Sequence, residues 1–125
     1  MILCDTNIIV ELYKGNSETI NALQSLGVRQ IAISAVTQAE LFYGAINKTE
    51  LIQIQKQLNL FHILPIDQDI SEQFIQLMAQ YSLSHKLAIP DALIAATALV
   101  HNLHLYTLNT KDFRFVEGLT LYRPE

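Results

Sequence analysis

One cysteine, Cys4, is all the thiol chemistry this chain holds, which excludes an internal disulfide and any cysteine-based zinc site. Within Ile2-Leu3-Cys4 it reads as a small apolar core residue. Charge is scarce too: Asp, Glu, Lys and Arg make up 16% of the residues, against about 25% in typical soluble domains. The four histidines, His62, His85, His101 and His104, show neither HxxxH nor HExxH spacing and adjoin no isolated acid, so they are expected at the surface or at helix ends. The longest apolar run, Ala92 to Val100, falls far short of the ~20 residues that cross a bilayer. Met1 leads straight into an apolar segment with no signal peptide before it. No membrane association and a cytoplasmic location are expected, and no repeat, linker or low-complexity tract interrupts the chain.

What is present is apolar. Half of the 125 residues are hydrophobic, and a chain of this length buries roughly two-thirds of its unfolded surface as one domain. A single domain over residues 1–125 is expected. The net charge of −4, from 8 basic and 12 acidic residues, looks wrong for a nucleic-acid binder. Four of the acids nevertheless stand apart.

Asp5 in ILCDTNII, Glu40 in VTQAELFYG and Asp91 in LAIPDALIA have no basic residue within four positions on either side. Asp112 sits in a polar turn beside Lys111 and Arg114. An unpaired carboxylate taken out of water costs several kcal/mol unless it protonates, finds donors or binds a cation. Acids recurring at the ends of apolar segments therefore point to a shared divalent ion. Setting these four aside leaves 8 acidic against 8 basic residues, and a bound ion would reverse the local field.

The pattern predicts strands at Met1–Cys4, Gln30–Ile33, His62–Pro65 and Leu103–Thr107, with a last edge strand at Leu119–Tyr122. Helices are predicted over Ile8–Tyr13, from a Ser17 cap to Leu26, from a Ser34 cap along Ala35, Val36, Ala39, Phe42, Tyr43 and Ile46, over Thr49–Asn59, and from an Asp67 cap to Tyr81. Ser82 to Ile89 reads as a loop, and Pro90 opens a helix that is apolar nearly all round. Strands alternating with helices imply an α/β fold, with a central parallel sheet of four to five strands covered by helices on both faces. Sites in such sheets form outside the carboxyl ends of the strands. Asp5, Glu40 and Asp112 follow three of those strands. Asp91 opens the helix that feeds the fourth strand, so a long loop is needed to return it to the same edge.

Mg²⁺ and Mn²⁺ take oxygen ligands in octahedral geometry. Such an ion supports hydrolysis of a phosphodiester by lowering the pKa of a water and holding it for in-line attack. Lys14, Lys86, Lys111 and Arg114 fall in loops near the predicted strand ends and are candidate phosphate contacts.

Four stretches, ILCDTNIIVEL, SAVTQAELFYGA, IPDALIAATAL and LYTLNTKDF, together make the chain resemble the PIN-domain ribonucleases, and among them the VapC-type toxins of bacterial toxin–antitoxin pairs. The resemblance spans the whole chain. It implies a Mg²⁺- or Mn²⁺-dependent endoribonuclease with Asp5, Glu40, Asp91 and Asp112 as its acidic cluster and Asp5 and Asp91 as direct metal ligands. Thr6, Thr107 and Asn109 would be supporting polar groups. It also implies a structured or single-stranded RNA substrate such as tRNA, a cognate antitoxin and a homodimer, for which Tyr13, Phe42 and Tyr43 are candidate interface residues.

Two other classes fit parts of the pattern. A receiver-type phospho-acceptor domain would use Asp5 for Mg²⁺, Asp67 as acceptor and Lys111, but would leave Glu40 and Asp91 without a role. An inactive PIN-fold binding module would need none of the four acids that are present. A haloacid-dehalogenase-like phosphatase lacks its second aspartate, since Asn7 stands there.

Overall fold

The computed structural model describes residues 1–124. Four strands, β1 (Ile2–Cys4), β2 (Ile31–Ser34), β3 (His62–Leu64) and β4 (His104–Tyr106), form one sheet in the order β3-β2-β1-β4. All three pairings are parallel, with Leu3 opposite Ala32 and Leu105 on its two sides. Six helices connect them: α1 (Thr6–Tyr13), α2 (Ser17–Leu26), α3 (Ala35–Tyr43), α4 (Lys48–Leu58), α5 (Gln68–His85) and α6 (Ile89–His101).

The alternation of side chains along each strand divides the core in two. Leu3, Ala32 and Leu105 face one cluster, built with Ile70, Leu77 and Tyr81 of α5 and the alanines of α6. Cys4, Ile31, Ile33 and Tyr106 face the other, built with Ile8 and Ile9 of α1, Leu23 of α2, Leu41 of α3 and Ile54 and Leu58 of α4. Both faces are covered, as the apolar strands require. Ala92, Ala95, Ala96 and Ala98 are all essentially inaccessible, which makes α6 the buried helix its composition predicts. Cys4 is fully buried, and burial followed by the neighbouring Asp5 charge pushes its thiol up to about 12. It is inert core, as expected.

Several boundaries differ from the sequence reading. The cap of α2 is Asn16, whose side chain accepts from Thr19 N, and the cap of α4 is Asn47, which accepts from Glu50 N. Asparagine caps as well as serine or threonine, so local chemistry left the choice open. Helix α3 stops at Tyr43, and its buried side chains are Thr37 and Leu41 rather than the predicted stripe. Tyr43 and Ile46 are 94% and 81% exposed. The expected edge strand Leu119–Tyr122 reduces to a single parallel bridge, Leu121 to Leu105.

The largest correction concerns Ser82 to Ile89. Helix α5 runs on to His85, held there by Tyr81, which packs edge-on against Phe115 and whose hydroxyl accepts from Glu117 N. Only Lys86, in the left-handed region at φ 55°, and two further residues separate α5 from α6. The two helices pack along each other as an antiparallel hairpin. Two helices between β3 and β4, rather than a long loop, deliver Asp91.

Candidate active site

Asp5 is the residue that leaves β1 and caps α1. Its Oδ1 accepts from Thr6 N at 2.8 Å and its Oδ2 accepts from the Thr107 hydroxyl at 2.8 Å. The carboxylate is 6% exposed. Capping and a role in a site are therefore compatible here, because the cap uses Oδ1 and leaves Oδ2 facing Thr107. Thr107, immediately after β4, also accepts from Asn109 N at 3.1 Å and from Asn7 Nδ2 at 3.4 Å. Asn7 Oδ1 in turn accepts from Leu108 N at 3.3 Å, so the first turn of α1 is tied to the loop beyond β4.

Glu40 projects from α3 onto the same group. The Thr6 hydroxyl lies 2.7 Å from Glu40 Oε1 and 2.9 Å from Thr37 Oγ1. An ionised carboxylate only accepts and a hydroxyl has one proton. Thr6 must therefore donate to Glu40, and the buried Thr37 must donate to Thr6. Thr37 orients Thr6, and Thr6 orients Glu40. Neither Thr37 nor Asn7 was singled out as a site residue from sequence. The available signal was Thr37 lying one helical turn before Glu40, on a face that reaches it.

Asp91 stands in the first turn of α6, and Asp112 ends a short 3₁₀ turn, Thr110–Asp112, after β4. The two acids line one surface cleft of about 280 Å³ together with Lys86 and Lys111. Burial, then the charges of Asp5, Asp112 and Glu40, push the Asp91 carboxyl up to about 6. Burial also raises Asp5; the Thr107 and Thr6 hydrogen bonds pull it back, and the Glu40 and Asp112 charges push it up. Asp5 and Asp91 thus both feel the charges of Glu40 and Asp112. Among the described residues the only ion pair within 4.0 Å is Lys14–Glu11, so none of the four acids is neutralised by a base.

The structure brings Asp5, Glu40, Asp91, Asp112, Thr6 and Thr107 to one edge of the sheet. Asn109 contributes its backbone N–H. Lys14 caps the far end of α1, about 13 to 14 Å along the helix from Asp5, and pairs with Glu11 at 3.7 Å; it is not brought to the acids. Arg114 lies exposed beyond the 3₁₀ turn. All four histidines are exposed, with His85 and His101 in the last turns of α5 and α6.

Among the described residues, no three Asp, Glu, His or Cys side chains converge tightly enough to form a ready-made three-ligand cage. The donors present are hard carboxylate oxygens, uncompensated and mutually repelling. Such a set fits a Mg²⁺-type ion that keeps several waters and takes only one or two direct carboxylates.

A PIN domain family model matches residues 2–118. This chain belongs to the PIN domain family. The PIN domain is 31% identical over 137 residues to the VapC ribonuclease Y4jK of Sinorhizobium fredii, covering 99% of this chain and 97% of that protein. It is 33% identical over 121 residues to ribonuclease VapC10 of Mycobacterium tuberculosis, covering 95% and 90%. Among solved structures, a toxin–antitoxin complex from Klebsiella pneumoniae contains a chain of 38% identity that superposes with a TM-score of 0.83 over 100% of both chains.

The receiver-type alternative fails on topology. That fold orders its strands 2-1-3-4-5, whereas this sheet runs β3-β2-β1-β4. Asp67, the acceptor it needs, is occupied as the cap of α5, taking Ile70 N at 2.9 Å.

Proposed function

We propose that this PIN domain is a divalent-metal-dependent endoribonuclease, using Mg²⁺ or Mn²⁺, that acts as the toxin of a toxin–antitoxin pair. The observation that carries the reading is Asp5: a buried carboxylate with no basic partner, held by Thr6 N and Thr107 at the carboxyl ends of the adjacent strands β1 and β4. Full-length similarity to VapC ribonucleases supports the activity. Similarity to the toxin–antitoxin complex supports the partner.

Asp5 and Asp91 would hold the ion, with Glu40 and Asp112 completing the negative field around it. When bound, a divalent ion lowers the pKa of a coordinated water and neutralises phosphate charge. Thr107 and Thr6 fix the direction of Asp5 and Glu40, so little reorganisation is required as substrate enters. Lys86 and Lys111, which line the acidic cleft, would grip RNA phosphates. Lys14 drops out of that role.

The exposed apolar side chains Tyr43, Ile46, Ile75 and Leu83, each at least 62% exposed, suit the antitoxin and a second copy of this chain. No helix among the described residues is long and apolar enough to cross a membrane.

The test is cleavage of a defined RNA pool, tRNA included, by the purified chain with Mg²⁺, with Mn²⁺ and with chelator. Metal-dependent cutting that disappears in Asp5→Asn and Asp91→Asn is expected. Undiminished cleavage in both variants would sink the site.

A further inference from the structure

The cleft beside Asp91 holds more than the acids and lysines need. His85 and Phe115 form part of its wall. Their rings lie nearly parallel, 11° apart, with centroids separated by 4.0 Å. Tyr81 buttresses both edge-on, with centroids at 5.7 Å from His85 and 5.1 Å from Phe115. Phe115 is half-buried against the core, while His85 is exposed. An exposed ring fixed flat on a buried one, at the lip of a cleft, presents a pre-ordered π-surface.

One cavity therefore gathers three kinds of group. Lysines suit phosphate oxygens, Asp91 and Asp112 suit a cation, and the aromatic pair suits a planar base. A volume of about 280 Å³ sits at the lower end of ligand pockets, which begin near ~300 Å³. A cleft of this size suits a small group such as a single base or phosphate rather than a large ligand.

We propose that the His85–Phe115 pair is a stacking platform for the base of one unpaired nucleotide of the RNA, next to the phosphate that is cut, with Lys86 and Lys111 holding that nucleotide's phosphates. The inference rests on the nuclease reading and adds a binding subsite to it. A π-face is common to every base, so the platform selects an unstacked nucleotide rather than a particular letter.

The test is a coupling measurement between the ring and the base. Binding of a short single-stranded RNA to the Asp5→Asn protein, which leaves the RNA uncut, is followed by fluorescence anisotropy. His85→Ala is expected to weaken binding roughly ten-fold to a hundred-fold, the range of one base–aromatic stack, and His85→Phe to restore it. His85 is exposed and Tyr81 keeps its own contact with Phe115, so His85→Ala should cost the fold little, and the melting temperatures of His85→Ala and His85→Phe check this.

An abasic ribose is then placed in turn at each position flanking the cut. At one position the wild-type ring should lose the same factor, and His85→Ala should lose nothing further. Equal affinity of His85→Ala and the parent, or additive losses at every position, overturns the subsite. If the unmodified protein still cleaves RNA, that result leaves the nuclease reading standing. A protein that cleaves no RNA in any metal overturns both.

Discussion

The Thr107 hydroxyl donates to Asp5 Oδ2 across 2.8 Å, joining residues 102 positions apart in sequence. The same oxygen accepts from Asn109 N, so this one side chain sets both the direction of the acid and the start of the loop that carries Asp112. Replacing Thr107 by valine keeps the shape and removes these two bonds together with the one accepted from Asn7 Nδ2. A buried acceptor and a part-buried N–H are left without their partner, at about 1–3 kcal/mol. Thr107→Val should lower the melting temperature and weaken metal binding, and Thr107→Ser should recover much of each. Calorimetry with and without Mn²⁺ checks both.

Thr37 makes no contact with Asp5, yet it orders the hydroxyl that orders Glu40. Thr37→Val should leave the fold standing and reduce RNA cleavage roughly 10- to 100-fold, the usual effect of losing a group that orients a ligand. Thr37→Ser, which keeps the hydroxyl, should recover activity where Thr37→Ala does not. Equal activity in all three would remove Thr37 from the site.

The raised Asp91 carboxyl makes metal-free stability depend on pH with a definite sign. Between about 4 and about 6 the folded protein keeps a proton on Asp91 that the unfolded chain has released. Stability from this group is therefore greatest at the low end and is lost as pH rises through about 6. Asp91→Asn should flatten that segment and stabilise the metal-free protein at pH 7. Solvent screening at this half-buried group limits the gain to about 1–2 kcal/mol. Chemical denaturation at pH 4.5 and pH 7 in chelator measures it.

Metal should act in the opposite sense. Binding requires Asp91 ionised, so affinity should fall as pH drops below about 6. At one hundred times its dissociation constant the ion adds about 2.7 kcal/mol to native stability. A thermal shift with Mg²⁺ or Mn²⁺ at pH 7.5, much reduced in Asp5→Asn, is the expected result. Absence of a shift in either metal would count against Asp5 and Asp91 as ligands.

The lysines can be told apart by salt. Lys86→Ala and Lys111→Ala should each weaken RNA binding and reduce the slope of log K against log salt by about 1. Lys14→Ala, at the other end of α1, should leave that slope unchanged.

How much of this was legible in the sequence depended on distance along the chain. Ser34 and Asp67 were identified as caps because a cap bonds within three residues, and both do. The sheet's parallel strands followed from alternating apolar runs and helical stripes. Helix α5 was read as ending four residues early because Ser82, Ser84 and His85 are indifferent helix formers. What extends it is Tyr81 and His85 packing on Phe115, thirty residues away, a contact no local pattern carries.

The same limit applied to the site. The isolation of Asp5, Glu40 and Asp91 from basic residues was visible in the sequence, and the structure leaves them unpaired in space as well. Thr6 and Thr107 came from the resemblance, whereas Thr37 and Asn7 needed the coordinates. A threonine inside a helix ordinarily bonds its own backbone, as Thr97 does to Leu93 O at 2.8 Å. Only the folded geometry shows Thr37 turned elsewhere.

The strand order has one last implication, for timing. Because β1 is flanked by β4, the last strand made, a chain still emerging from the ribosome carries Asp5 without Thr107 or Asp112 beside it. Whatever this domain does to RNA, it acquires the means only once the segment from Thr107 to Asp112 has been made and has folded back beside Asp5.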